Sequence, residues 1–448
     1  MNFVGSSTCI GTCKNGCFLF KKICFYLFFF WLFFLNISPL AVASANIYSY
    51  ASTIISVICL SSVALSIYQK RSIFIYNKWL ILFLIISTIS CFSNFDGFPA
   101  NVKRVLWSAI YLLFLFSDDD LSSLVKETKD IFSSIVFFLS LVSLGMFFAN
   151  YENVFPLLDY VVYMGFTDFR LFGAYMDPNY ASVLSILCIV FCLENLMKKR
   201  YVKFSVLNLI VQIFYMSLAN SRTCMVSLFI LSFFVSFFSL YNKFKFNKVL
   251  NISLSVLSSF FCAFLCLLSL KFSSTIMIKS ASLLNSSITC DEFQFDRINI
   301  DESLDYSSGR LEIWKSAFEI FKKKWLLGTS PGNIKNYAEN YFPDCIIAER
   351  HYYAMHNVFI DVFTSVGLIG GLVFLLFLLK FLIRIIKIYI KRINENGEYN
   401  LDLDVLVSSV LAISISSMFL SDIMFFNKLS AFFFWLFLGE IRRKMEIL

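Results

Sequence analysis

Charge is scarce in this chain. Of its 448 residues 15% are charged and 58% are hydrophobic, whereas a water-soluble domain carries about 25% charge. So few charges cannot cover the surface of a soluble globule, and the chain reads as a polytopic membrane protein. Histidine is scarcer still, with two residues. Neither lies near Cys9, Cys13 and Cys17, whose four-residue recurrence is not zinc-finger spacing, so neither a metal site nor a cofactor is expected. No internal repeat of roughly 20 to 50 residues is visible. Without paired repeats, and with the buried charges Glu194, Asp361 and Asp422 all near span ends, a transporter or flippase of lipid-linked sugars is the weaker reading. No segment alternates with the period of a transmembrane barrel strand, which leaves helices.

What is abundant is apolar sequence, with 56 Phe and a mean hydropathy of +0.75. Apolar runs fall at 23–38, 48–68, 73–92, 102–116, 131–149, 179–197, 203–219, 223–241, 249–270, 357–380, 403–421 and 428–441. The expected fold is therefore all-α, with about twelve transmembrane helices. Residues 1–270 hold spans 1–9, residues 271–355 form one long loop, and residues 356–448 hold spans 10–12. Of the 38 Lys and Arg, 23 fall on the side of the two termini, 5 in short loops opposite and 10 in the long loop. Long loops are exempt from the positive-inside rule, so this asymmetry puts both termini in the cytoplasm and the long loop outside. The net charge of +8 thus reports orientation and does not call for a nucleic-acid partner. The first span, followed by Ala43 and Ala45, imitates a secretory signal, but the many later spans favour an uncleaved helix. Asp118, Asp119 and Asp120 are expected to form a solvated cytoplasmic turn and helix start.

The long loop holds 10 basic and 11 acidic residues, and its aromatic content argues for order. It contains Cys290 and Cys345, for which a disulfide and two free thiols are both open; a bond there would stabilise by about 3 to 4 kcal/mol. Ser307-Ser308-Gly309-Arg310 leads into a helix on which Leu311, Trp314, Phe318, Phe321 and Trp325 share a face, closed by Gly328. Such a helix lies on the membrane surface or roofs the bundle. Arg310 falls in its first turn, where the helix dipole disfavours a cation and a bound anion such as a diphosphate reverses the penalty. A solvated Arg310, or one paired with Asp305 or Glu312, is the alternative.

His356-Asn357 opens span 10, ahead of Gly367, Gly370 and Gly371, which permit close helix packing. A histidine there titrates near neutrality and can take a proton from a hydroxyl, while Asn357 also reads as a helix cap. Arg222 lies in the short turn between spans 7 and 8, where an arginine is costly unless functional or paired. Arg170 approaches the same face, and Asp177-Pro178-Asn179 reads mainly as a helix start. Arg170, Arg222, Arg310 and His356 together make a cationic cluster at the outer mouth, suited to a lipid-linked diphosphate leaving group without a metal.

At these residues the chain resembles the O-antigen ligase and polymerase superfamily, bacterial membrane glycan transferases of the C-type glycosyltransferase architecture. The matching pieces are Ser221-Arg222, the SGRLEIW segment with Gly309, Arg310 and Trp314, the GTSPGN turn with Gly328 and Gly332, and HNVFIDVFTSVGLIGG. They cover mainly residues 170–375. The resemblance implies an undecaprenyl-diphosphate-linked oligosaccharide donor, a glycan acceptor and membrane lipid at the periplasmic face of the inner membrane. It implies inversion without metal or cofactor, and as partners a chain-length regulator and other lipopolysaccharide-assembly proteins. Carried over by position, Arg222 and Arg310 hold the diphosphate and His356 activates the acceptor, with Arg170, Asp177, Asn179 and Asn357 as further substrate-binding candidates. Polymerase, with a second lipid-linked repeat unit as acceptor, is preferred over ligase, with lipid A core as acceptor.

Overall fold

The computed structural model describes residues 7–44, 47–68, 78–157, 160–167, 169–241, 243, 247–284, 309–349, 354–395 and 400–447. Helices dominate, because a segment in hydrocarbon must satisfy its own backbone hydrogen bonds. The first half runs α1 (Ser7–Asn36), α2 (Ser38–Ala43), α3 (Tyr48–Tyr68), α4 (Lys78–Ser93), α5 (Phe98–Ala109), α6 (Val125–Phe148), α7 (Pro178–Met197) and α8 (Val202–Ala219). The second runs α9 (Arg222–Tyr241), α10 (Lys248–Leu284), α11 (Arg310–Lys323), α12 (Ile334–Tyr341), α13 (Ile346–Glu349), α14 (Val358–Glu395), α15 (Leu401–Ser416) and α16 (Leu429–Ile447). A π-helical turn over Ile110–Phe116 continues α5.

Each of the twelve apolar runs lies mostly in helix. Among the described residues, eight helices are long and apolar enough to cross a membrane, and Lys78–Ser93 is a shorter apolar one. The count falls short of twelve because α4 and α15 have 16 residues each, the run after Phe98 changes helix type, and α16 carries Glu440, Arg442, Arg443, Lys444 and Glu446 in its second half. The ninth span also outruns its expected end at residue 270. With no Gly or Pro to stop it, α10 continues as helix to Leu284.

The all-helical expectation needs one amendment. Between α6 and α7 stand β1 (Glu152–Leu157), β2 (Tyr160–Thr167) and β3 (Arg170–Gly173), an antiparallel meander in that order. Its alternation is short: Val162 and Met164 are buried while Val161 is exposed. A four-residue β3 leaves too little pattern to see in sequence.

Packed phenylalanine joins the helices. Phe29, Phe432, Phe433 and Phe132 form a continuous chain of ring contacts, with Phe132 and Phe433 centroids 4.6 Å apart. At the end of this core Asp118 opens a helical turn as expected, accepting Asp120 N–H at 3.1 Å, and Asp119 is exposed, but Asp118 itself is not solvated. Asp118 and Lys21 are each 1% exposed. Lys21 Nζ lies 2.8 Å from Asp118 Oδ2 and 2.6 Å from Asp120 Oδ2, Arg442 contacts Asp119, and Arg443 donates to the Asp118 carbonyl at 3.1 Å. The carboxylates neutralise basic groups that α1 and α16 bring to one place, and burial follows from that pairing.

The described part of the loop has its own small core. Ile313, Ala317 and Ile320 of α11 pack with Ile334, Tyr337 and Ile347 of the next two helices. The expected apolar face is thus divided: Leu311, Phe318 and Trp325 are exposed, whereas Trp314 and Phe321 line a cleft against α14. A helix that fills its own core and also meets lipid needs two apolar stripes, which a single-face reading merges.

The GTSPGN turn anchors this unit in the bundle. Thr329 N–H donates to Thr364 O at 3.0 Å, Ser330 N–H to Ser365 O at 2.8 Å, and Leu368 N–H to Trp325 O at 2.7 Å. These bonds complete the helix ladder of α14 where it breaks at Gly367, whose φ is +68°. Gly328 O accepts from Asn94 Nδ2 at 3.1 Å and Gly332 N–H donates to Asn101 Oδ1 at 2.6 Å. Irregular backbone is thereby satisfied by protein on both sides.

Candidate functional site

The N-terminal ends of α7, α9, α11, α14 and α16 carry the candidate residues, and each side chain is set by a local break in regular structure. At the start of α7, Asp177 caps the helix by accepting Asn179 N–H at 2.6 Å, with Pro178 in the first turn. Asn179 Oδ1 accepts from Arg170 Nη2 at 2.8 Å and from Ser221 Oγ at 3.0 Å. Arg170 Nε donates to Ala219 O at 3.0 Å. Arg170 is 9% exposed, so its guanidinium serves as a strut joining β3, α7 and the α8–α9 turn. That turn reverses at Asn220, φ +47°, and presents exposed Arg222 as the first residue of α9.

Arg310 opens α11 behind a left-handed Gly309, with its guanidinium carbon 6.0 Å from the Phe419 ring centre. His356 precedes α14 and also adopts left-handed backbone, φ +52°. Burial, then the Arg310 charge and that of Lys428, hold the His356 imidazole below its ordinary range, while Asp177 pulls the other way. The structure thus brings Arg310, Asp177 and Lys428 each within electrostatic reach of His356. Asn357 caps α14, its Oδ1 accepting Phe359 N–H at 2.9 Å and Ile360 N–H at 3.2 Å, and its Nδ2 donating to Met418 O at 3.1 Å. Its amide is engaged in the scaffold, as are the Asp177 carboxylate and the Asn179 carbonyl.

Lys428 and Tyr180 were not among the candidates read from sequence. Lys428 Nζ sits 4.0 Å from the Tyr180 ring centre. The one available signal was that Lys428 is among the few basic residues on the sparsely basic side. Beside this cluster, Trp314, Phe318, Phe321, Phe359 and Phe363 line an apolar cleft of about 360 Å³ between α11 and α14. Among the described residues no three His, Cys, Asp or Glu side chains come together as a metal-ligand set. Cys290 lies outside the described residues, and with it the proposed pairing to Cys345.

Residues 207–375 match a family model described as O-antigen ligase. Over that stretch the chain is similar to the O-antigen ligase family, which supports the resemblance to the O-antigen ligase and polymerase superfamily. The matched stretch contains Arg222, Arg310, His356 and the Gly367 kink, and leaves Arg170, Asp177 and Lys428 outside it. No curated protein matches the chain. The superfamily is one of glycosyltransferase-like enzymes, and the helices mark a membrane-integral protein.

Proposed function

We propose that the protein is an O-antigen polymerase. It transfers glycan from undecaprenyl diphosphate to the terminal sugar hydroxyl of a second lipid-linked repeat unit, at the periplasmic face of the inner membrane. The observation that carries this reading is the convergence of Arg310, His356 and Lys428 beside an apolar cleft, with Arg222 on the neighbouring turn. The cations neutralise the diphosphate as the anomeric bond breaks, and the cleft suits the first lipid units behind it. His356, held neutral, accepts the proton of the attacking hydroxyl, and the sugar inverts in a single displacement. No step calls for a metal or cofactor. Both termini lie in the cytoplasm and the loop in the periplasm, in keeping with the basic asymmetry of the short loops.

The description of the matched family as O-antigen ligase favours a second reading, transfer of the finished glycan to lipid A core. Deleting the gene and resolving lipopolysaccharide on gels separates the two. One repeat unit on the core supports polymerase. Bare core overturns it in favour of ligase, and loss of periplasmic lipid-linked units points to a flippase.

A further inference from the structure

We infer that Asp361 and Ser421 are positioning residues that hold His356 in its working conformation, an inference that rests on the proposed role of His356. Left-handed backbone is unfavourable for a residue with a β-carbon and persists where the surroundings over-determine it. Here Met355 N–H donates to Asp361 Oδ1 at 2.9 Å and His356 N–H donates to Ser421 Oγ at 3.0 Å. The Ser421 hydroxyl donates in turn to Asp361 Oδ2. One carboxylate therefore fixes two consecutive peptide N–H groups, the first directly and the second through a hydroxyl. The direction is determined: Asp361 accepts at both oxygens, and Ser421 accepts from the peptide and donates to the carboxylate.

Both side chains are 2% exposed, so they act on His356 and not on substrate. The segment carrying Ser421 is itself pinned. Tyr180 Oη donates to Ser421 O at 3.3 Å, and Val358 N–H donates to Ser417 O at 2.9 Å. The backbone on both sides of His356 is thus tied to the α15–α16 connection and, through Tyr180, to the helix start that carries Asp177. Loss of one link frees the imidazole to turn away from the acceptor without touching the donor cations.

The test uses the full-length protein in proteoliposomes, with lipid-linked glycan extracted from cells lacking it. Ser421→Ala is expected to lower kcat by roughly ten- to a hundredfold, the scale of a small misplacement of a reacting group, with donor KM unchanged. Ser421→Thr, which keeps a hydroxyl, restores the rate. Asp361→Asn, which keeps an acceptor for Met355 N–H, loses less than Asp361→Ala. In a His356→Ala background Ser421→Ala causes no further loss, because a residue acting through His356 is silent without it. A Ser421→Ala defect that multiplies in full with His356→Ala, or a wild-type kcat for Ser421→Ala beside an inactive His356→Ala, overturns the inference alone. Full activity of His356→Ala overturns the proposed role of the histidine and the inference together. If Ser421→Ala is not recovered from membranes, the same cycle with Asp361→Asn decides.

Discussion

Replacing Gly328 by alanine places a carbon where the backbone of another element already lies. The new Cβ would stand 2.4 Å from both the carbonyl carbon and oxygen of Ser365 and 2.6 Å from the nitrogen of Gly367. These are backbone atoms, so no side chain can swing aside. Gly328 also has φ +71°, which costs a residue with a β-carbon about 1–2 kcal/mol. Overpacking adds about 1–3 kcal/mol, giving about 2–5 kcal/mol against a typical domain stability of roughly 5–15 kcal/mol. Gly309→Ala is the control, since Gly309 has φ +79° but nothing within 4 Å of its would-be Cβ, leaving about 1–2 kcal/mol of backbone strain alone. Thermal unfolding in detergent, followed by a thiol-reactive dye as buried Cys91 and Cys224 become accessible, separates the two variants. Gly328→Ala should melt clearly below Gly309→Ala. Equal melting temperatures would refute the argument that the GTSPGN turn is locked backbone to backbone against the α14 kink.

Arg222→Ala and Arg310→Ala should each lower transfer by about 10²–10³-fold, the loss seen when one preorganised charge stabiliser is removed, while membrane insertion is kept; normal glycan ladders from both would remove the diphosphate clamp. Lys428→Met takes away a charge that holds His356 down, so the pH at which kcat/KM falls off on the acid side should move upward, and an unmoved or lowered limb contradicts the placement of Lys428. Asp118→Ala leaves Lys21, 1% exposed, paired with Asp120 alone and should destabilise by about 1–3 kcal/mol, the cost of one lost bond to a buried charged group. The paired change Lys21→Met with Asp118→Leu should recover most of that loss in the same unfolding assay.

The parts legible in sequence were those written in long, repeated signals. Apolar runs located the helices, and Asp177-Pro178 located the start of α7, because capping chemistry is local. Arg310 and His356 were found because each stands beside a helix start facing the sparsely basic side. What escaped depended on distant contacts. The burial of Asp118 was hidden because its partner Lys21 lies about 100 residues away along the chain. The bonds of Arg170 to Ala219 and Asn179 were not legible, whereas the helix cap at Asn357 was. The second apolar stripe of α11 was hidden because Ile313, Ala317 and Ile320 find their partners in α12 and α13.

The cations at the outer mouth have a consequence for timing. Burial, with the Arg310 and Lys428 charges, favours the neutral imidazole of His356, and a neutral imidazole with a lowered pKa is a weak base. A diphosphate bound among the same cations opposes them. The His356 midpoint should rise when the donor binds. Donor binding therefore strengthens the base it depends on, and departure of the lipid diphosphate weakens it again and releases the proton. The kinetic signature has a definite sign. Activity requires the neutral imidazole, so it is lost as pH falls through the His356 pKa. The free protein governs kcat/KM and the donor complex governs kcat, so the acid limb of kcat should lie at higher pH than that of kcat/KM. Coincident limbs, or the opposite order, would show that the donor's charge is not held beside His356.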